Sequence, residues 1–176
     1  MAITSPASST NQNLLSNVTF NMSVQKFPQI NFYVQSVTLP GVTISEIMIP
    51  TGPVRIPYKE ISGSAQFEPL SVTFLVDEDM HNYFEIWDWI QIVAGMDNDK
   101  YIELMRNDPL KAGVKTNINL SILTSHRNNN INFEFIDAFP TGVEALTFDF
   151  RSPSVDYQPM TVAFNYSHFT YKRRSS

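Results

Sequence analysis

The sequence predicts a mainly β protein, an antiparallel barrel or sandwich of about eight strands with one flanking α-helix. Two observations support this. Beyond residue 17, most of the chain alternates apolar and polar residues with a period of two, the pattern of half-buried strands. A single segment near the middle changes to the helical period. The 176 residues, of which 43% are apolar, suit one domain with one core.

The chain divides into an arm, a β domain and a short tail. Residues 1–17 are mostly Ser, Thr, Asn and Gln, too polar to become ordered alone, and we expect them to be flexible or docked on a partner. The β domain is expected to span residues 18–171. The tail, residues 172–176, begins with a basic run.

The first half of the β domain predicts strands on both sides of a long loop. Residues 18–24 alternate strictly, Ile30–Val37 has an extended pattern, and Thr43–Met48 forms a short third strand. Ile49–Gly63 is rich in Pro and Gly, which excludes a helix or a central strand and predicts a surface excursion. Ala65–Val76 returns to the strand pattern.

The period changes at Asp77, which is expected to cap a helix over Glu78–Ala94 that ends at Gly95. One apolar stripe predicts helix packing through Met80, Tyr83, Phe84, Trp87 and Ile90. A second apolar set widens this sector and consists of Ile86, Trp89, Ile92 and Val93. We therefore expect the helix to touch more than one surface.

The second half predicts irregular chain over residues 96–114 and four further strands. These strands are Thr116–Leu123, Ile131–Ile136, Leu146–Phe150 and the long pattern Met160–Tyr171, with a turn at residues 140–142.

No residue pattern specifies an enzyme, a cofactor or a metal site. The chain has no Cys, so thiolate zinc sites and cysteine nucleophiles are excluded. Asp77, His81 and Glu85 share a helix face at metal-ligand spacing, but we interpret them as the solvated side of an amphipathic helix and predict no metal site. Neither Ser125-His126 nor Ser167-His168 forms a nucleophile and base pair, because adjacent strand residues point to opposite faces.

The net charge and the distribution of charged residues favour self-association and disfavour tight binding of nucleic acid. The net charge is −5, which disfavours phosphate binding but is compatible with DNA sliding past. Seven acids and no Lys or Arg lie between residues 77 and 99, whereas the C-terminus is basic, so neighbouring copies could be charge-complementary. The sequence shows no secretory signal and no apolar run of about 18 residues, and we expect a protein made in the cytoplasm, without a membrane partner.

Several segments together resemble the tail tube proteins of contractile-tailed, T4-like bacteriophages. The first is the run Phe32–Gly41, with its VTLPG ending, followed by the Pro-rich excursion. The second is the acidic start Asp77-Glu78-Asp79 before a helix containing Trp87-Asp88-Trp89-Ile90. The third is Ala138-Phe139-Pro140 after a strand. The order of elements fits residues 18–171, and the tube protein of type VI secretion is similar in fold.

The resemblance implies a hexameric ring of β domains whose strands join into a 24-stranded barrel around a channel. Rings would stack into a tube inside a contractile sheath, and DNA would leave the head through it without specific binding. Partners would be other copies, the sheath, and baseplate or neck proteins. The excursion would reach the adjacent ring through Val54, Arg55, Ile56 and Tyr58. The protein would reside in the virion tail after assembly in the host cytoplasm.

Two alternatives remain open from sequence. The chain could form a single ring at one end of a tube, as a baseplate initiator or a neck terminator. It could instead be a carbohydrate-binding β-sandwich, although no spaced pair of Asp or Glu residues supports that interpretation.

Overall fold

The computed structural model describes residues 20–25, 34–44, 47–51, 54–58, 65–107, 113–124, 128–148 and 157–173. The predicted arm, residues 1–17, and the end of the tail lie outside these residues. The strands are β1 Phe20–Val24, β2 Val34–Thr38, β3 Val42–Ile44, β4 Ile47–Thr51, β5 Val54–Tyr58, β6 Ala65–Phe67, β7 Leu70–Leu75, β8 Thr116–Leu123, β9 Asn129–Val143, β10 Pro159–Asn165 and β11 His168–Arg173. The helices are α1 His81–Val93 and α2 Asn98–Asn107.

The main sheet is antiparallel and has seven strands in the order β1-β8-β9-β10-β7-β2, with β11 also paired to β9. It consists of two four-stranded halves that share the 15-residue strand β9. The first part of β9 pairs with β8 and β11, and the last part pairs with β10. Asp137, which has φ 57°, lies where β9 passes from one half of the sheet to the other. The register between β8 and β9 also shifts near this point. Such an irregularity bends a strand and increases its twist.

One core joins both halves of the sheet to α1. Its fully buried large side chains include Phe135 from the first half, Phe74 and Phe164 from the second half, and Ile86 and Trp89 from the helix. The predicted period of two is confirmed in β7, β8 and β10, where buried positions alternate with partly exposed ones. The mainly β, antiparallel fold class is therefore confirmed, but among the described residues the sheet does not close into a barrel.

The predicted single helix is wrong in number. α2 lies within the segment expected to be irregular, residues 96–114. It is polar on average, and its apolar residues Tyr101, Ile102 and Met105 are exposed instead of buried in the core. Its start has a local bond in which the Lys100 N–H donates to Asp97 Oδ1 at 3.0 Å. An acid before the first turn stabilises a helix in this way even when its apolar residues are not buried in the core.

The start of α1 is three residues later than predicted. A turn links Met80 N–H to the Asp77 carbonyl at 2.9 Å, and Met80 itself has φ 55°. Asp77 still accepts the Asn82 N–H, at 3.2 Å, so it satisfies the helix start from outside it. The predicted end at Gly95 is confirmed: Met96 N–H donates to the Gln91 carbonyl and Gly95 N–H to the Ile92 carbonyl, the Schellman arrangement.

The predicted packing stripe of α1 is not the face that enters the core. Ile86, Trp89 and Ile92 are buried, whereas Phe84 and Trp87 are exposed by 52% and 40%. From that stripe, Tyr83 and Ile90 pack at the core margin, and Met80 is half-buried at the helix start. The second apolar set is the one that faces the core. There the Trp89 indole N–H donates to the Val114 carbonyl at 2.6 Å, and the Trp89 ring contacts Phe164.

Two strand predictions in the second half are also corrected. β9 runs through Pro140-Thr141-Gly142, which was predicted to be a turn, because the ladder has a register shift where Pro140 pairs with Phe164. A proline without an N–H is tolerated at such an irregularity. The described part of Leu146–Phe150 is not a strand. The long pattern Met160–Tyr171 is broken at Tyr166 and Ser167, where Ser167 N–H donates to the Ile136 carbonyl.

Candidate assembly surfaces

Three strands lie at edges of the main sheet as its described residues pair. Among the described residues, β1 pairs only with β8, β2 only with β7, and β11 only with β9. An edge strand presents unpaired backbone N–H and C=O groups, which can accept a strand from another chain. In the half that contains β1, β8, β9 and β11, the two outer strands each have one described neighbour, so a copy could pair on either side.

This half of the sheet has one apolar face and one polar face. On the apolar face, the register aligns Val24 with Ile118, Ile118 with Phe135 and Phe135 with Phe169. The first three of these side chains are buried. The next aligned row ends at Tyr171, which is 61% exposed at the free edge of β11. The apolar face is therefore covered at its centre by the molecule's own core.

The opposite face of the same half, here called the polar face, is almost entirely uncharged. Its members are Asn21, Ser23, Asn117, Asn119, Ser121, Asn132, Glu134, Ile136, His168, Thr170 and Lys172, of which only Ile136 is apolar. Neighbouring strands are linked across it by Ser121 Oγ donating to Asn132 Oδ1 at 2.8 Å and by Asn117 Nδ2 donating to Glu134 Oε1 at 3.3 Å. One acid, Glu134, and one base, Lys172, give the set a formal charge of zero when His168 is counted as neutral.

The strands β3, β4, β5 and β6 lie outside the main sheet and are from here on called the arm, which is distinct from the N-terminal residues 1–17. β3 pairs with β6, and β4 pairs with β5 as a separate hairpin. All six residues of β3 and β6 are exposed, including Val42, Ile44 and Phe67. The four residues predicted to contact a neighbouring ring, Val54, Arg55, Ile56 and Tyr58, lie together on β5. The prediction that this Pro-rich segment contains no central strand is confirmed for its described residues, whose strands pair only with one another.

The helices add an acidic surface with exposed apolar side chains. Lys100 Nζ lies 2.8 Å from Asp88 Oδ1 and 3.8 Å from Asp97 Oδ2, and its hydrogen bond to Asp88 is the main reason that the pKa of Lys100 is raised. Burial raises the pKa of Glu85, whose Oε2 is buried without a hydrogen-bond partner in the described part of the chain. The exposed side chains Phe84 and Trp87 lie on the same helix.

Asp77, His81 and Glu85 have metal-ligand spacing in the sequence but are not grouped as ligands in the fold. Within the described residues, no three His, Asp or Glu side chains are grouped so that they could hold a metal ion. In that same part of the chain, no helix has the length and apolar character needed to cross a membrane.

Free sheet edges, a separate arm and exposed apolar helix residues together define a β protein suited to assembly with further chains. The family model described as phage tail tube protein matches residues 2–172. The chain therefore belongs to the phage tail tube protein family, a family of structural proteins, and the predicted resemblance is confirmed. A search of curated proteins found no match.

Solved structures share the fold at low sequence identity. The tube-terminating cap of the anti-feeding prophage aligns over 99% of this chain and 100% of its own, with 15% identity and a TM-score of 0.59. A chain from the sheath–tube complex of an extracellular contractile injection system aligns over 97% and 100%, with 16% identity and a TM-score of 0.56. A chain from a sheath and tube terminator of such a system covers 97% and 99%, with 17% identity and a TM-score of 0.51.

Proposed function

We propose that six copies of this chain close into a ring and that rings stack into the tail tube of a contractile-tailed bacteriophage, through which DNA is ejected. The observation that carries the proposal is the four-stranded half β1-β8-β9-β11, in which β1 and β11 are the edge strands among the described residues and the two faces have opposite character. The number six and the cargo come from the resemblance of the sequence to the family.

Strand direction supports closure of this sheet into a ring. The four strands alternate in direction, so β11 runs antiparallel to β1. When copies are related by rotation about a common axis, the β11 of one copy meets the β1 of the next in an antiparallel arrangement. Every added copy therefore continues the same ladder, and closure removes both free edges.

The two faces of the sheet support an orientation within the ring. The core and α1 occupy the apolar side, so the polar face is left to line the channel. A formally neutral surface of amides and hydroxyls has no cluster of Lys and Arg that would hold phosphates, so DNA would pass without specific binding. Phe84 and Trp87 of α1 would then face outward, where a sheath or a neighbouring copy could cover them.

Stacking is assigned to the β4–β5 hairpin. Val54, Arg55, Ile56 and Tyr58 would contact the adjacent ring, because the hairpin lies outside the main sheet and does not contribute to its ladder. At the tube ends the chain would meet baseplate or neck proteins, and after assembly in the host cytoplasm it would remain in the virion.

The experiment is electron microscopy of the purified chain together with a variant that lacks residues Pro53–Lys59. The wild type is expected to form rings and hollow rods, and the variant is expected to form rings that do not stack. The rings of the variant serve as the control for folding. Rods of normal length from the variant would contradict the role of the hairpin, and dispersed wild-type monomers would contradict the ring itself.

A single ring at the end of a tube is the second candidate. The fold does not separate the two roles, since its likeness extends both to a tube-terminating cap and to a chain of a sheath–tube complex. The number of copies in the virion separates the two roles, because a tube subunit is abundant, whereas an end ring is present once. The carbohydrate-binding alternative is disfavoured because the chain belongs to a structural family.

A further inference from the structure

The arm joins the rest of the molecule through a small contact cluster, here called the arm root, consisting of Gly41, Phe67, Glu68, Tyr166 and Phe169. Glu68 N–H donates to the Gly41 carbonyl at 3.0 Å, and Gly41 N–H donates to Glu68 Oε2 at 3.2 Å. A Cβ on residue 41 would lie 2.8 Å from that same oxygen, so glycine is what permits the close approach.

The other side of the arm root belongs to β11 and the turn before it. The Tyr166 hydroxyl donates to the Glu68 carbonyl at 2.9 Å. The ring of Phe67 contacts those of Tyr166 and Phe169, with centroids 5.9 and 5.8 Å apart. Burial, and then the charge of Glu68, raises the pKa of Tyr166, so the hydroxyl keeps the proton that it donates.

Phe169 connects this cluster to the core. Its ring lies 5.6 Å from that of Phe135, which is fully buried, and 6.2 Å from that of Phe133. Phe169 is also part of β11, an edge strand of the sheet among the residues that the structure describes. One side chain therefore touches the core, the edge strand proposed to pair within a ring, and the root of the arm proposed to bind the next ring.

We propose that the arm root is a positioning site that couples ring closure to stacking. An edge strand bonded on one side opens more readily than one bonded on both. When β11 opens, Phe169 and Tyr166 leave Phe67 and Glu68, and the arm loses its direction. Pairing of β11 with a neighbouring copy suppresses that opening, so the arm becomes fixed when the ring closes. This inference rests on the proposed ring and adds an order of assembly to it.

The coupling can be measured before any assembly, by hydrogen exchange on the dilute chain. Phe169→Ala should speed exchange of the β3 and β6 amides by roughly two- to tenfold, the range expected for loss of aromatic contacts. Thr170→Ala, on the opposite face of the same strand, is the matched control and should leave them unchanged. Because coupling is reciprocal, Phe67→Ala should speed exchange in β11 while the β7 and β8 amides stay protected.

Unchanged exchange at both ends of the cluster would overturn the coupling, whether or not the chain forms rings. In assembled material, Phe67→Ala should yield closed rings that stack into shorter rods, and Tyr166→Phe, which loses only the hydroxyl, should have a smaller effect. Phe67→Ala rods of wild-type length would also overturn the coupling. Failure of the wild type to form rings would instead contradict the proposed function and leave the exchange result to decide the coupling.

Discussion

At the scale of single residues, two identical side chains on α1 differ in burial because they lie at different positions around the helix. Trp89 is 1% exposed and Trp87 is 40% exposed, although the two are only two positions apart. Hydropathy does not distinguish them. Their contacts distinguish them. The Val114 carbonyl accepts the indole N–H of Trp89, and the Trp89 ring packs in the core against Phe164.

The two tryptophans give a matched pair of variants. Trp89→Ala should lower the free energy of unfolding by about 3–5 kcal/mol, because it removes a buried aromatic ring and leaves the Val114 carbonyl without that donor. Trp87→Ala should change it by less than about 1 kcal/mol, since surface changes have small effects. Urea unfolding of the dilute chain measures both values. Similar losses in the two variants would contradict the assignment of the two helix faces.

Glu85 predicts a pH dependence of stability. Burial raises the pKa of Glu85, so the folded state favours its protonated form. The stability associated with this group is present below its ordinary pKa of 4.5 and is lost as the pH rises through the higher folded-state value.

Glu85→Gln should therefore be more stable than the wild type at pH 7, by less than about 1 kcal/mol because the group is partly solvated. The gain should disappear near pH 4, where the wild-type carboxyl is itself protonated. Urea unfolding at the two pH values tests this, with the exposed Glu103→Gln as control. A gain that is equal at both pH values would contradict the burial argument.

At the scale of elements, the ends of α1 show which signals a sequence carries well. Gly95 was predicted as the residue after the helix, and it adopts φ 67° with both bonds of a Schellman end. The helix start was less predictable, because Asp77 acts across an intervening turn. α2 was missed because it is polar on average and its short apolar side, Tyr101, Ile102 and Met105, is exposed.

Gly95→Ala tests the helix end. It should destabilise the protein by about 1 kcal/mol, because no atom lies within 4 Å of the added Cβ and the cost is that of a positive φ alone. Gly142→Ala is the control, since that position is equally open but is not in the positive-φ set. Thermal unfolding compares the two variants, and an equal effect of both would contradict this explanation.

At the scale of the whole molecule, the period-two pattern predicted the strands and the core but not the sheet order. Alternation identifies which side chains share a face, as in β8, where Ile118 and Leu120 are buried and Asn119 lies opposite. It does not state which strands are neighbours, so the open edges of β1 and β11 had to come from the pairing itself. The polar face could have been noticed from its Asn and Ser positions, but its continuity depends on the register of four strands.

The absence of Cys from the chain permits a direct test of the central claim, which is that β11 of one copy pairs with β1 of the next. Thr170→Cys on β11 is combined in turn with Asn21→Cys, Ser23→Cys or Gln25→Cys, which sample the possible registers along β1. Thr170→Cys with Asn119→Cys, on the interior strand β8, is the control. Cross-strand neighbours are close enough for a disulfide to form.

After oxidation, non-reducing gel electrophoresis of assembled protein should show, for at least one β1 pair, a ladder of linked copies that ends at a discrete closed species. The β8 control should give no such ladder. Unlinked chains from all three β1 pairs, in preparations that contain rings, would contradict edge pairing as the basis of the assembly.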